Sequence, residues 1–217
     1  MTVAVEDREG FAAFLLRMRG KGITRKEFVS AVEAVPRRNF VSGQWHGAAW
    51  SDRMIPIACG EALEGLDLQA QIIHALALEP HHKVLEIGTG SGFTAALMSR
   101  LASRIVSVDR YKTLVDQARQ RLDALAIGNV TVRQADAMKG LPGEGPFDRI
   151  IAWTAFDNLP RTFVDQLTSG GVMIAPIGPG DDVQALARLS KVGSRFDRED
   201  IGKVRLQPVL PGIASKI

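Results

Sequence analysis

The run Val84-Leu-Glu86-Ile-Gly88-Thr-Gly90-Ser-Gly92-Phe-Thr combines residue types and a spacing that can do chemistry. Glycines where a strand meets a helix adopt positive φ without a Cβ clash and let the backbone pass close to a ligand. The helix start beyond them offers free N–H groups. A nucleotide-like ligand suits such a turn. The spacing is G-x-G-x-G, not the G-x-G-x-x-G that fits a dinucleotide pyrophosphate. Glu86, two residues ahead of the first glycine, would oppose a pyrophosphate but suits a ligand with ammonium and sulfonium charges, as in S-adenosylmethionine. A second acid, Asp109, lies 21 residues beyond Gly88 at the end of the next apolar run, where a carboxylate accepts hydrogen bonds from ribose hydroxyls. A third, Asp136 in Ala135-Asp136-Ala137, follows the run after that and is placed to meet an adenine amino group. The expected cofactor contacts are therefore Glu86, Gly88, Thr89, Gly90, Ser91, Gly92, Asp109, Arg110, Asp136 and Ala137.

Three acids at successive strand ends require a sheet to hold them. From Lys83 onward, short β-rich runs alternate with helical patterns: Lys83 to Ile87, Gly92 to Ala102, Arg104 to Val108, Tyr111 to Ala126, Val130 to Arg133, Phe147 to Trp153, Pro160 to Leu167 and Gly171 to Ile177. Such alternation predicts an α/β fold whose parallel sheet is covered on both faces. Val183 to Lys191 and Val204 to Val209 read as two closing antiparallel strands joined through Val192-Gly193-Ser194 and a charged loop. Residues 1–80 read as an N-terminal cover and 81–217 as the core. In the cover, Phe11, Phe14, Leu15 and Met18 recur at helical spacing, and Thr24-Arg-Lys-Glu27 has the form of a capping box ahead of Phe28, Val32 and Val35. An irregular stretch from Arg37 to Leu66 precedes a helix that Asp67 is placed to cap and Pro80 to end.

The bulk properties narrow the class. The chain has 217 residues, 46% apolar and 24% charged, with 27 Lys and Arg against 24 Asp and Glu. That suits one globular unit and excludes a disordered tail or a fibrous repeat. Bases and acids are interspersed, unlike the concentrated stripe of a nucleic-acid binder, and the densest basic stretch, Arg17 to Lys26, reads as a solvated face. Cys59 is the single cysteine, so no internal disulfide forms; it reads as a small packing residue, and a cytoplasmic setting is expected. No apolar run is long enough to span a bilayer, so no membrane partner is expected, and a monomer is the default. His46, His74, His81 and His82 show no metal-ligand spacing with Cys59, so no metal is expected.

The chain resembles protein-L-isoaspartate O-methyltransferases over nearly its whole length. The resemblance rests on Val35-Pro-Arg-Arg-Asn-Phe-Val41, Ala49-Trp-Ser-Asp52, Ile55-Pro-Ile57, Leu85-Glu-Ile-Gly-Thr-Gly-Ser-Gly-Phe93, Gly128-Asn-Val130, Pro146-Phe-Asp148, Gln166-Leu-Thr-Ser-Gly-Gly171 and Pro176-Ile-Gly178. It implies a Rossmann-like, doubly wound, seven-stranded sheet, mostly parallel with the last strand reversed. It also implies transfer of a methyl group from S-adenosylmethionine to the carboxylate of an isoaspartyl residue in a damaged protein. Substrate contacts are then expected at Arg37, Arg38, Leu63 and Trp153.

Two departures bear on that activity. Where the family carries Gly-Gln-Thr-Ile-Ser-Gln/Ala-Pro, this chain has Gly60-Glu61-Ala62-Leu63-Glu64-Gly65-Leu66, so Glu64 stands at the family's serine. A hydroxyl donates to a carboxylate, whereas an ionised glutamate only accepts. At about 4 Å and an effective dielectric near 20 the two charges repel by roughly 4 kcal/mol. Carboxylate methylation is then expected to be poor unless Glu64 is protonated or turned away. Trp153 stands where the family usually has threonine, to fill the acceptor pocket or wall it. A different acceptor, a small molecule or RNA, and a non-catalytic cofactor-binding role are the alternatives.

Overall fold

Strands Lys83–Ile87 (β3) and Arg104–Asp109 (β4) are almost wholly buried because helices cover both faces of the sheet they centre. A computed structural model describes residues 5–214 of the chain. Ahead of β3 lie helices Val5–Gly20 (α1), Lys26–Ala34 (α2) and Leu66–Ala75 (α3) and the two-residue strands Ile55–Pro56 (β1) and Ala62–Leu63 (β2), which pair antiparallel. After it come Phe93–Met98 (α4), β4, Lys112–Ala124 (α5), Val130–Gln134 (β5), Phe147–Ala152 (β6), Thr162–Asp165 (α6), Leu167–Ile177 (β7), Gln184–Val192 (β8) and Arg195–Val204 (β9). The seven-stranded sheet runs β5-β4-β3-β6-β7-β8-β9. β3 through β7 pair in parallel, and β8 pairs antiparallel with both β7 and β9. The expected mostly parallel sheet with an antiparallel finish is what forms. Its reversed member is β8, and β9 turns back beside it. The charged segment assigned to a loop is β9 itself. Its alternating charges face solvent on an edge strand, which protects that edge from further pairing.

A single apolar cluster joins the N-terminal helices to the sheet: Phe14, Met18, Phe28, Val32 and Phe40 share it with Phe93, Leu97, Ile105 and Ile174. The helical spacing read in α1 therefore marks its buried face. The capping signals act differently from expectation. Thr24 does not cap α2, which starts at Lys26 with Arg25 at the N-cap position and no side-chain cap. Asp67 lies inside the first turn of α3, and its carboxylate is held by Arg17 at 2.9 and 3.0 Å. The cap of α3 comes from outside the helix, because Asp52 accepts from the Asp67 and Leu68 amides at 3.0 and 3.4 Å. Arg17, read as part of a solvated face, also donates to the Trp50 carbonyl and so ties α1 to α3 and to the segment between them. Asp52→Ala removes the only side-chain cap of α3 among the described residues and is expected to lower stability by about 1 kcal/mol, with Asp52→Asn losing less; urea denaturation of both variants measures it.

Candidate active site

The chain from Ile87 to Gly92 folds over the end of β4. Gly88 and Thr89 donate to the Val108 carbonyl at 2.9 and 3.1 Å, and Gly92 donates back to Thr89 at 2.9 Å. Gly88 (φ 90°) and Gly90 (φ 51°) take left-handed conformations that an L side chain rarely adopts, and Gly92 packs where an added Cβ would sit 3.0 Å from that of Ala118. The helix beyond is short and its start is buried, with its amides turned to Thr89 and the Ser91 hydroxyl. The Gly92 and Phe93 amides are thus taken up within the loop.

Above Gly88 and Gly90 lies a cleft with about 720 Å³ of empty space that opens to solvent. Ile57, Glu61 and Ala62 line it on one side, Asp109, Arg110, Tyr111 and Leu114 on another, and Ala135 and Ala137 on a third. Trp153, Thr154 and the segment 207–210 complete it. Asp109 is 8% exposed; its carboxylate accepts from the Gly90 and Tyr111 amides, both at 3.0 Å, which fixes the glycine loop to the end of β4. Burial raises its pKa and these amide bonds oppose the rise. Arg110 lies over the Tyr111 ring, and its Nε is buried without a partner.

Other expected cofactor contacts lie elsewhere. Glu86 is fully buried beneath the loop and accepts from Thr94 (2.5 Å), Ser107 (2.6 Å) and the Trp153 indole (3.0 Å). It reaches the cleft only through Trp153. Thr89 bonds to Ser107, and Ser91 is wholly buried, so neither side chain lines the cleft. Asp136 is exposed and holds the C-terminal segment: its oxygens accept from the Met138 amide at 2.9 Å and the Gly212 amide at 2.7 Å. Its neighbour Ala137 is the residue that lines the cleft.

The 207–210 wall belongs to a strap, not to the strand expected over Val204 to Val209, because pairing ends at Val204. Ala155 donates to Gln207 and Val209 to Ala155, both at 2.8 Å, and Ala214 donates to Arg110 at 3.0 Å. Gln184 anchors its start by accepting from the Leu206 amide at 2.9 Å. Pro208, which interrupts the segment Val204 to Val209, and Pro211 just beyond it are the sequence signal against a strand.

A family model for protein-L-isoaspartate(D-aspartate) O-methyltransferase matches residues 11–212. The chain belongs to this family. The protein-L-isoaspartate O-methyltransferase of Rhizobium meliloti is 46% identical over 200 residues, covering 92% of this chain and 98% of the relative. That of Azorhizobium caulinodans is 43% identical over 215 residues, 99% of each chain. A solved structure from Plasmodium falciparum, described as a protein-L-isoaspartate O-methyltransferase in complex with S-adenosyl-L-homocysteine, has a TM-score of 0.78 at 19% identity. It covers 91% of this chain and 97% of its own, and shows the shared fold.

The substrate contacts implied by the family need correction. Arg37 is wholly buried, donates to the Ala49 (3.0 Å), Ser51 (3.4 Å) and Glu64 (2.5 Å) carbonyls, and stacks on Phe93. It is a clamp for the segment 49–64, and burial pulls its pKa down to about 10. Arg38 is engaged by Asp7 at 2.5 Å. Leu63 is buried in β2. The Glu64 side chain does not line the cleft, and burial raises its pKa to about 7 against the attraction of Arg37. Trp153 does line it. Glu61 also lines it and is absent from the expected contacts, although an acid at the glutamine position of the family's loop motif is a signal for it. Cys59 is half-buried at the tip of a turn with φ 65°, not packed in the core. Glu79, His81 and His82 each bring a possible ligand atom within 4.8 Å of the others, but the His82 Nδ1 lone pair is taken by the Glu79 amide.

Burial pushes the Glu86 pKa up to about 7 although three donors favour its charged form. The native state therefore holds this proton more tightly than the unfolded chain, and stability falls as pH rises from about 4.5 to about 7. In Glu86→Gln that dependence is removed: denaturant midpoints across this window are expected to give a wild-type minus variant difference that declines by on the order of 3 kcal/mol.

Proposed function

We propose that the protein is an S-adenosylmethionine-dependent O-methyltransferase that methylates the isoaspartyl carboxylate of damaged proteins or peptides. The observation that carries the reading is the cleft itself, with Asp109 fixed by two amides at its wall and two left-handed glycines as its floor. The donor set fits the cofactor's parts. Asp109 retains lone pairs for ribose hydroxyls, Arg110 lines the same wall, and Ile57, Val108 and Leu114 offer apolar walls to a flat base. Side chains at Gly88 or Gly90 would project into this space. S-adenosylmethionine, when bound, supplies an electrophilic methyl group on sulfur. The protein's share is to hold donor and acceptor in line and keep water out. Trp153 walls the approach to Gly88, where its Cβ lies 3.3 Å from an added Cβ, and its indole is held by Glu86. A cytoplasmic, monomeric enzyme without nucleic-acid or membrane partners completes the reading.

Glu64 does not line the donor cleft, so its charge is not set against a carboxylate bound there. Transfer of labelled methyl from S-adenosylmethionine to an isoaspartyl peptide is expected for wild type, with none to the aspartyl isomer. Glu64→Gln is expected to stay within about twofold of wild-type turnover between about pH 6 and 8, because the charge it removes lies outside the cleft. Cofactor binding without transfer to the isoaspartyl peptide at any pH would point to another acceptor.

A further inference from the structure

The donor cleft contains one carboxylate beyond the acid at the end of β4. Glu61 follows a tight turn between β1 and β2. Ile57 donates to the Glu61 carbonyl at 2.9 Å, Glu61 donates to Ala58 at 3.3 Å, and the tip is made of left-handed Cys59 (φ 65°) and Gly60 (φ 73°). Pairing of Pro56 with Ala62 and of Ile55 with Leu63 anchors both legs. The backbone of Glu61 is therefore fixed, and its side chain lines the cleft opposite the glycine loop.

The charged groups of this lining are Glu61, Asp109 and Arg110. Burial and the charge of Asp109 raise the pKa of Glu61, while the Tyr111 hydroxyl and Arg110 act against the rise. Arg110 is drawn toward the strap, with its guanidinium over the Tyr111 ring and 3.5 Å from the Pro211 carbonyl. With both acids ionised, the lining carries one uncompensated negative charge. A cation bound between the acids relieves their repulsion, and a neutral ligand of the same shape does not.

Methyl transfer makes that distinction. The donor's sulfur is a sulfonium cation before transfer and a neutral thioether after it, while the rest of the molecule is unchanged. We propose that Glu61 is a specificity-determining residue of the donor site, which with Asp109 favours the sulfonium form of the ligand over its thioether product. The proposal rests on the methyltransferase reading above. It also gives a role to a feature of this chain's own sequence, since the family's loop motif has a neutral glutamine where this chain has Glu61.

Isothermal titration of S-adenosylmethionine and S-adenosylhomocysteine into wild type and Glu61→Gln, at about pH 8 and low salt, tests it. Glutamine matches glutamate in shape and is the family's residue, so folding is retained. The expected result is a fall of about tenfold in the preference for the sulfonium ligand on Glu61→Gln, through weaker S-adenosylmethionine binding with S-adenosylhomocysteine affinity unchanged or improved. A ratio of affinities that stays within about twofold of wild type, or an equal loss for both ligands, overturns the proposal and leaves the methyltransferase reading intact. Absence of binding by either ligand to wild type overturns both.

Discussion

Everything at the donor site depends on a carboxylate that has no access to water. Glu86 sits at 0% exposure under the glycine loop, and its three donors come from three elements: Thr94 from α4, Ser107 from β4 and Trp153 from the end of β6. An unpaired carboxylate there would cost several kcal/mol, so the elements must meet at the one geometry that satisfies it. That geometry holds the loop glycines over the end of β4 and sets the indole as a wall of the cleft. The residue expected to touch the ligand instead builds the surface that does.

The same division of labour recurs around the cleft. Arg37 spends its donors on backbone carbonyls, and in doing so fixes the segment that carries Glu61 and Ala62. Asp136 spends its oxygens on amides and so fixes the strap. Charged residues buried or tethered in this way act through the backbone they position, which leaves Glu61, Asp109 and Arg110 as the charges at the cleft wall. Their sum is small, but it stands in a partly desolvated space where a single charge weighs more than the net charge of the whole chain.

What was legible in the sequence follows from how local each signal is. The strand-to-helix alternation, the glycine spacing and the acid ending β4 are short-range patterns, and the elements and cleft lining lie where those patterns point. Asp136 satisfies the same spacing rule as Asp109 and likewise accepts two amides, but it is exposed and outside the cleft lining, tied to the Gly212 amide 76 residues away. Arg37 reads as a surface ligand for a carboxylate until carbonyls 12 to 27 residues further on enclose it. The β9 edge reads as a loop because solvent on an exposed strand permits charge where a buried strand demands apolar residues. Long-range closure is invisible to periodicity, and it decides which of several chemically equivalent side chains faces the ligand.

We propose that the cleft binds the methyl donor through Asp109 and not through Asp136. Calorimetric titration of S-adenosylmethionine into wild type, Asp109→Asn and Asp136→Asn decides it. Loss of a charge-assisted hydrogen bond at Asp109 is expected to weaken binding by about 10- to 100-fold, and Asp136→Asn is expected to stay within about twofold of wild type. Equal losses in the two variants, or a loss confined to Asp136→Asn, would contradict this assignment.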